Sequence, residues 1–184
     1  MKHQTIRCVV LDFDGTLTDV DAEARHYLAS YTYSLGEHLR RDITSEWARA
    51  QKHVLENAEQ FGWEFGGKIV APAHADPYIL SGCVARLVLD ELGVYASPEE
   101  RQALLDGLFR KHSATTETAF RPELLDFLGG LKAWGGPVFV VTNSAPDAVK
   151  KKLASLESPL ASALDVRGNA KKFVLEPPTQ PSKR

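Results

Sequence analysis

A chain of 184 residues, 43% of them hydrophobic, is long enough to bury one sizeable core and a small accessory domain. A formal net charge of −2 and a pI near 6.3, with no basic stripe, argue against nucleic acid as a partner. Two cysteines, Cys8 and Cys83, give neither a disulfide framework nor zinc-ligand spacing. Both are expected to pack as small apolar residues. The polar start, Met1 to Arg7, runs directly into an apolar stretch, so no signal peptide is expected. No apolar run reaches the length that spans a bilayer. The expectation is a cytoplasmic protein with no membrane partner.

The first apolar run, Cys8-Val9-Val10-Leu11, reads as a strand buried on both faces. It ends in Asp12-Phe13-Asp14-Gly15-Thr16-Leu17-Thr18-Asp19. Carboxylates at the carboxyl end of a buried strand stand where open α/β sheets bind ligands. Two carboxylates this close are costly unless a cation neutralises them or one keeps a proton. Mg²⁺, which uses one or two carboxylates plus substrate phosphate oxygens, suits such a place. The alternative is a simple strand-ending turn, since Asp-Gly is a common turn pair.

The period then changes from strand to helix. From Asp21 to Arg41, Ala24, Tyr27, Leu28, Tyr31, Leu35 and Leu39 recur at helical intervals. Thr44 or Ser45 can cap a second helix carrying Trp47, Val54, Leu55 and Ala58, with Gly62 as its stop. Gly62 to Pro77 reads as an irregular stretch in which His74 and Asp76 are candidates for substrate contact. Tyr78 to Leu92 returns to helix and ends at Gly93. Ser97-Pro98-Glu99-Glu100 starts another, with Ser97 as N-cap, Pro98 at the first position and Glu100 closing a capping box.

The core resumes at Arg121, and Pro122 can open a helix carrying Leu124, Leu125, Leu128 and Leu131. Gly135-Gly136-Pro137 turns the chain into a second apolar run, Val138-Phe139-Val140-Val141, which ends in Thr142-Asn143-Ser144. Ser144 before Pro146 also reads as a helix N-cap. The helix from Pro146 carries Lys150, Lys151 and Lys152, most simply a solvated last turn favoured by the helix dipole. Lys171 and Lys172 follow a third short apolar stretch. On extended backbone they point to opposite faces, so only one can reach a given site.

The string Asp12 to Asp19 behind an apolar strand resembles the first motif of the haloacid dehalogenase (HAD) superfamily. Thr142-Asn143 resembles its second motif, and Lys171 or Lys172 its third. The resemblance implies an α/β fold. A Rossmann-like core with a parallel sheet would occupy 1–18 and 119–176. An α-helical C1-type cap, 19–118, would be inserted after the first strand, and 177–184 would be a disordered tail. It implies a Mg²⁺-dependent phosphatase acting on a small phosphorylated metabolite. Asp12 would be the nucleophile that carries an aspartyl-phosphate, and Asp14 the general acid and base. Asp12 and Asp14 would hold the metal. Thr142, the backbone of Asn143 and a lysine, Lys172 or Lys171, would bind the phosphoryl group. Dehalogenating members lack an acid at the position of Asp14, so its presence favours phosphoryl chemistry.

A fourth family motif, acidic residues after a further apolar strand, is not found. Beyond Lys172 the only acid is Glu176. Three explanations stay open: a truncated form of a longer phosphatase with a short sheet, completion of the site by Glu176 or a second chain, or a module that binds phosphorylated ligands or a protein without turnover. A missing outer strand would expose a sheet edge, so self-association is also expected.

Overall fold

The computed structural model describes residues 6–65, 67–95 and 97–172. The chain forms β1 (Val9–Leu11), α1 (Val20–Leu39), α2 (Thr44–Glu56), β2 (Gly62–Phe65), β3 (Lys68–Pro72), α3 (Pro77–Glu91) and α4 (Pro98–Thr115). It continues through α5 (Leu124–Trp134), β4 (Val138–Val141), α6 (Pro146–Ala154), α7 (Pro159–Ser162) and β5 (Asp165–Arg167). The described residues divide into two compact units, one formed by 6–23 and 117–172, the other by 24–116. No described helix is long and apolar enough to cross a membrane.

The first unit is built on a parallel sheet in the order β1-β4-β5. Right-handed crossovers through helices are what parallel neighbours require, and the connections to β4 and β5 are helical. The pairing sets Val9 beside Val138, Leu11 beside Val140, and Val140 beside Val166. Because side chains alternate along a strand, these residues share one face. There they join Phe13, Leu17, Leu124, Leu128, Val149, Leu153 and Ala161 in one apolar cluster. Val140, on the central strand, is fully buried.

The first strand is not buried on both faces. Val10 is 59% exposed and Cys8 is exposed, because both have the opposite parity to Val9 and Leu11. A continuous apolar run therefore conceals a one-sided strand, and only Cys83 packs as expected.

The second unit is helical. Tyr27, Tyr31 and Leu35 from α1 meet Trp47 and Val54 from α2, Val84, Val88 and Leu89 from α3, and Leu105 and Leu108 from α4. The i, i+4 recurrence of these residues is the stripe read in the sequence. Tyr27 keeps a polar contact inside this core, its hydroxyl lying 3.1 Å from Ser81 Oγ. Burial pushes its pKa up to about 12, against a smaller opposing effect of that bond.

Several local expectations are revised. The stretch from Gly62 is a hairpin, with β2 and β3 antiparallel. Gly67 takes φ 75° in the turn, a conformation glycine adopts freely. Glu64-Phe65 and Ile69-Val70 around a Gly-Gly pair were its signal. Neither Thr44 nor Ser45 caps α2; Asp42 Oδ1 instead accepts from the Thr44 amide at 2.8 Å and its hydroxyl at 2.6 Å. The helix stops at Glu56, before Gly62. Ser97 does cap α4, accepting from Glu100 N–H at 3.3 Å, and its hydroxyl donates to Glu99 at 2.7 Å. Pro122 lies in a turn before α5.

Candidate active site

The turn that follows β1 is wound around one residue. Phe13 is fully buried, edge-on to Phe120 with ring centroids 6.4 Å apart. Its carbonyl accepts from the amides of Thr16, Leu17 and Thr18. Gly15 takes φ 75° to close the turn, and Arg121 Nη2 donates to the Gly15 carbonyl at 2.8 Å. With Phe13 turned into the core, alternation turns Asp12 and Asp14 the other way. Asp12 is exposed and Asp14 is half-buried.

Asp14 is held from the loop after β4. Ser144 Oγ donates to Asp14 Oδ2 at 2.6 Å, and Thr142 Oγ1 lies 3.4 Å from the same oxygen. Thr142 is buried and also accepts from the Ser144 amide at 3.1 Å. Ser144 is therefore not the N-cap of α6. That position is Ala145, with no side-chain cap.

The loop after β5 brings the lysine. Thr142 N–H donates to the Arg167 carbonyl, Asn169 N–H to Ser144, and Ala170 N–H to Thr142, each at 3.0 Å. Gly168 lies so close to this seam that a Cβ there would be 2.5 Å from Pro146 N and 2.6 Å from Ser144 O. Asn143 Oδ1 accepts from Lys172 N–H at 2.6 Å, and its Nδ2 donates to the Lys172 carbonyl at 3.2 Å. Lys172 Nζ then lies 2.6 Å from Asp12 Oδ1, which also accepts from Phe13 N–H at 2.7 Å. Lys171, with φ 51°, is exposed. Asp12, Asp14, Thr142, Asn143 and Lys172 thus come together in one unit, and the side chain of Asn143 is spent on the backbone of Lys172.

Among the described residues the centre offers two carboxylates and a single ammonium. Its carboxylates are oxygen donors, the type magnesium selects, and magnesium commonly takes only one or two from protein. Among the described residues no group of three His, Cys, Asp or Glu is placed to hold a metal. The donors fit a magnesium ion shared with a bound anion, not a closed protein cage.

Lys152 does not belong to a solvated turn. Its ammonium is 3.4 Å from Glu23 Oε2 and 5.8 Å from the centre of the Phe13 ring. Glu23, whose side chain is fully buried, also accepts from Ala119 N–H at 3.2 Å. His74 is exposed, and Asp76 caps α3 by accepting from Tyr78 N–H at 2.7 Å. Glu176 and the expected tail lie outside the described residues.

A parallel sheet that gathers two carboxylates, a buried threonine and a lysine beyond the carboxyl ends of its strands defines an α/β fold with a polar edge where such sheets bind ligands. A family model described as haloacid dehalogenase-like hydrolase matches residues 6–172, and the chain belongs to that family of hydrolases. Among solved structures, it is similar to a predicted phosphoglycolate phosphatase from Haemophilus somnus 129PT (TM-score 0.54, 15% identity, covering 95% of this chain and 66% of that one). It is also similar to the putative HAD-hydrolase YfnB from Bacillus subtilis, described as bound to magnesium (TM-score 0.52, 16% identity, 90% and 66%). A third is a haloacid dehalogenase-like family hydrolase from Xanthomonas campestris (TM-score 0.51, 15% identity, 92% and 64%). At these identities the likeness shows the fold. The chain spans about two thirds of the length of each, 66, 66 and 64%. No curated protein matches it.

Proposed function

We propose that this hydrolase acts on a small phosphate ester through an aspartyl-phosphate on Asp12. The observation that carries the reading is the second carboxylate, Asp14, anchored through one oxygen by Ser144 at 2.6 Å. A fixed acid beside a nucleophilic carboxylate serves a leaving group that needs a proton, such as an alkoxide. A halide needs none.

In the first step an Asp12 oxygen attacks phosphorus, the bond from phosphorus to the ester oxygen breaks, and the Asp14 carboxyl proton passes to that oxygen. In the second, water attacks phosphorus and gives a proton to the Asp14 carboxylate. The bond between Asp12 and phosphorus breaks, and Asp12 returns as a carboxylate. Lys172 and the Thr142 hydroxyl offset charge on the phosphoryl oxygens, the main demand of this chemistry. The Asp12 carboxylate and the Asp14 backbone carbonyl would hold Mg²⁺, which when bound would neutralise phosphoryl charge.

The test is phosphate release from an aryl phosphate by the 184-residue chain, with and without Mg²⁺, beside Asp12→Asn. Metal-dependent release that the variant loses supports the reading. Release equal in both proteins overturns it. A second reading, a module that binds phosphorylated ligands without turnover, is favoured by the small number of acidic ligands among the described residues. Phosphate affinity with no release, in Mg²⁺ and across several esters, would select it.

A further inference from the structure

We propose that Asn143 is a positioning residue whose side chain sets the place of the Lys172 ammonium against Asp12. This rests on Asp12 and Lys172 being the reacting centre. An asparagine amide offers an acceptor and a donor on one rigid plane. Here both go to the backbone of one residue, Lys172, at 2.6 and 3.2 Å. A side chain used as a phosphate ligand would turn its donor toward the anion. This one is committed to the chain instead.

Lys172 has need of such a hold. Asn169 and Lys171, with φ 53° and 51°, both occupy the left-handed region, which non-glycine residues adopt at a cost. Relaxation of either would swing the following backbone. A lysine stem is flexible and its ammonium is a point charge, so the backbone origin decides where the charge can dwell. Hydrogen bonds between exposed neutral groups contribute little to overall stability, so their use here is geometric. Thr142 and Ser144, flanking Asn143, both contact Asp14. One tripeptide thereby sets the general acid with its outer residues and the lysine with its middle one.

The experiment is a double-mutant cycle between Asn143→Ala and Lys172→Met, read in turnover of an aryl phosphate with Mg²⁺ and in affinity for inorganic phosphate. It is combined with hydrogen exchange of the Lys172 amide by NMR. Asn143→Ala should remove protection of that amide and lower kcat about tenfold in the parent, yet change little once Lys172 is gone, as coupled residues do. Asn143→Asp keeps the acceptor but not the donor. It should retain protection of the amide and lie between parent and alanine variant. An unchanged Lys172 amide in Asn143→Ala overturns the inference, as does an equal loss in both backgrounds, the mark of a merely structural role. A chain that binds phosphate without turning it over defeats the hydrolytic reading alone, and the cycle is then read in affinity. A chain that does neither overturns both.

Discussion

Lys172 Nζ and Asp12 Oδ1 lie 2.6 Å apart, joined from opposite ends of the described chain with both side chains partly open to solvent. Ion pairs this exposed contribute only about 0–1 kcal/mol, so stability does not account for the contact. On the proposed mechanism its use is chemical. Lys172→Met should therefore leave the denaturation midpoint nearly unchanged while lowering kcat/KM for a phosphate ester on the order of 10²-fold. Loss of stability and activity in parallel would contradict this division.

Ser144 should matter in proportion to how badly the leaving group needs a proton. Its hydroxyl fixes one oxygen of Asp14. Ser144→Ala should slow hydrolysis of alkyl phosphates about tenfold and of aryl phosphates with acidic leaving groups much less, since proton donation counts most for basic leaving groups. A uniform slowing across a leaving-group series would assign Ser144 to folding or to binding instead.

Much of this centre was legible in the sequence because it lies at the ends of short apolar strands. Asp12, Asp14 and Thr142 stand close beyond β1 and β4, and Lys172 a few residues beyond β5; the strand end marked the two carboxylates, and the family resemblance brought in Thr142 and the pair Lys171 and Lys172. The contacts of Ser144 and Asn143 were not legible in the same way. Each depends on the parallel register of three strands distant in sequence and on left-handed residues at Asn169 and Lys171. The one-sided burial of β1 was hidden for a related reason. Val9 and Val10 are chemically identical, and only what packs against each parity distinguishes them. The hairpin was lost to a Gly-Gly pair read as loop, although its flanking residues alternate as strands do.

Lys152 was likewise read as solvated because charge runs at helix ends usually are. Its partner Glu23 is fully buried at the side chain, so removing the ammonium takes the ion-pair partner from a carboxylate inside the protein. Lys152→Met should cost about 1–2 kcal/mol of folding stability, as loss of a hydrogen bond to a charged group does, and the double change Glu23→Gln with Lys152→Met should cost less than that single one. Chemical denaturation measures both. Equal or additive losses would show that the two groups do not act as a pair.

His112 gives the helical unit an acid-sensitive point. It is 5% exposed, its Nε2 has no hydrogen-bond partner among the described residues, and its ring meets Tyr31 with centroids 6.1 Å apart. Burial first, and the charge of Lys111 second, hold its pKa below the ordinary 6.5. The unfolded chain then takes up the proton more readily than the folded one, so stability rises with pH through this window. The contribution is complete above the ordinary value of 6.5 and is lost as pH falls from there toward the depressed folded value. His112→Phe, which keeps a ring against Tyr31, should flatten the stability profile below the ordinary value of 6.5. A profile with the same slope as the parent would place the acid sensitivity elsewhere.

The most direct test of the central claim is to quench the chain with acid during turnover of a phosphate ester in Mg²⁺, digest it, and locate any phosphoryl group by mass spectrometry. The account predicts a phosphoryl group on the peptide containing Asp12, at the Asp12 carboxylate, and its absence from Asp12→Asn along with turnover. Turnover with the phosphoryl group on another residue, or turnover that survives in Asp12→Asn, would contradict it.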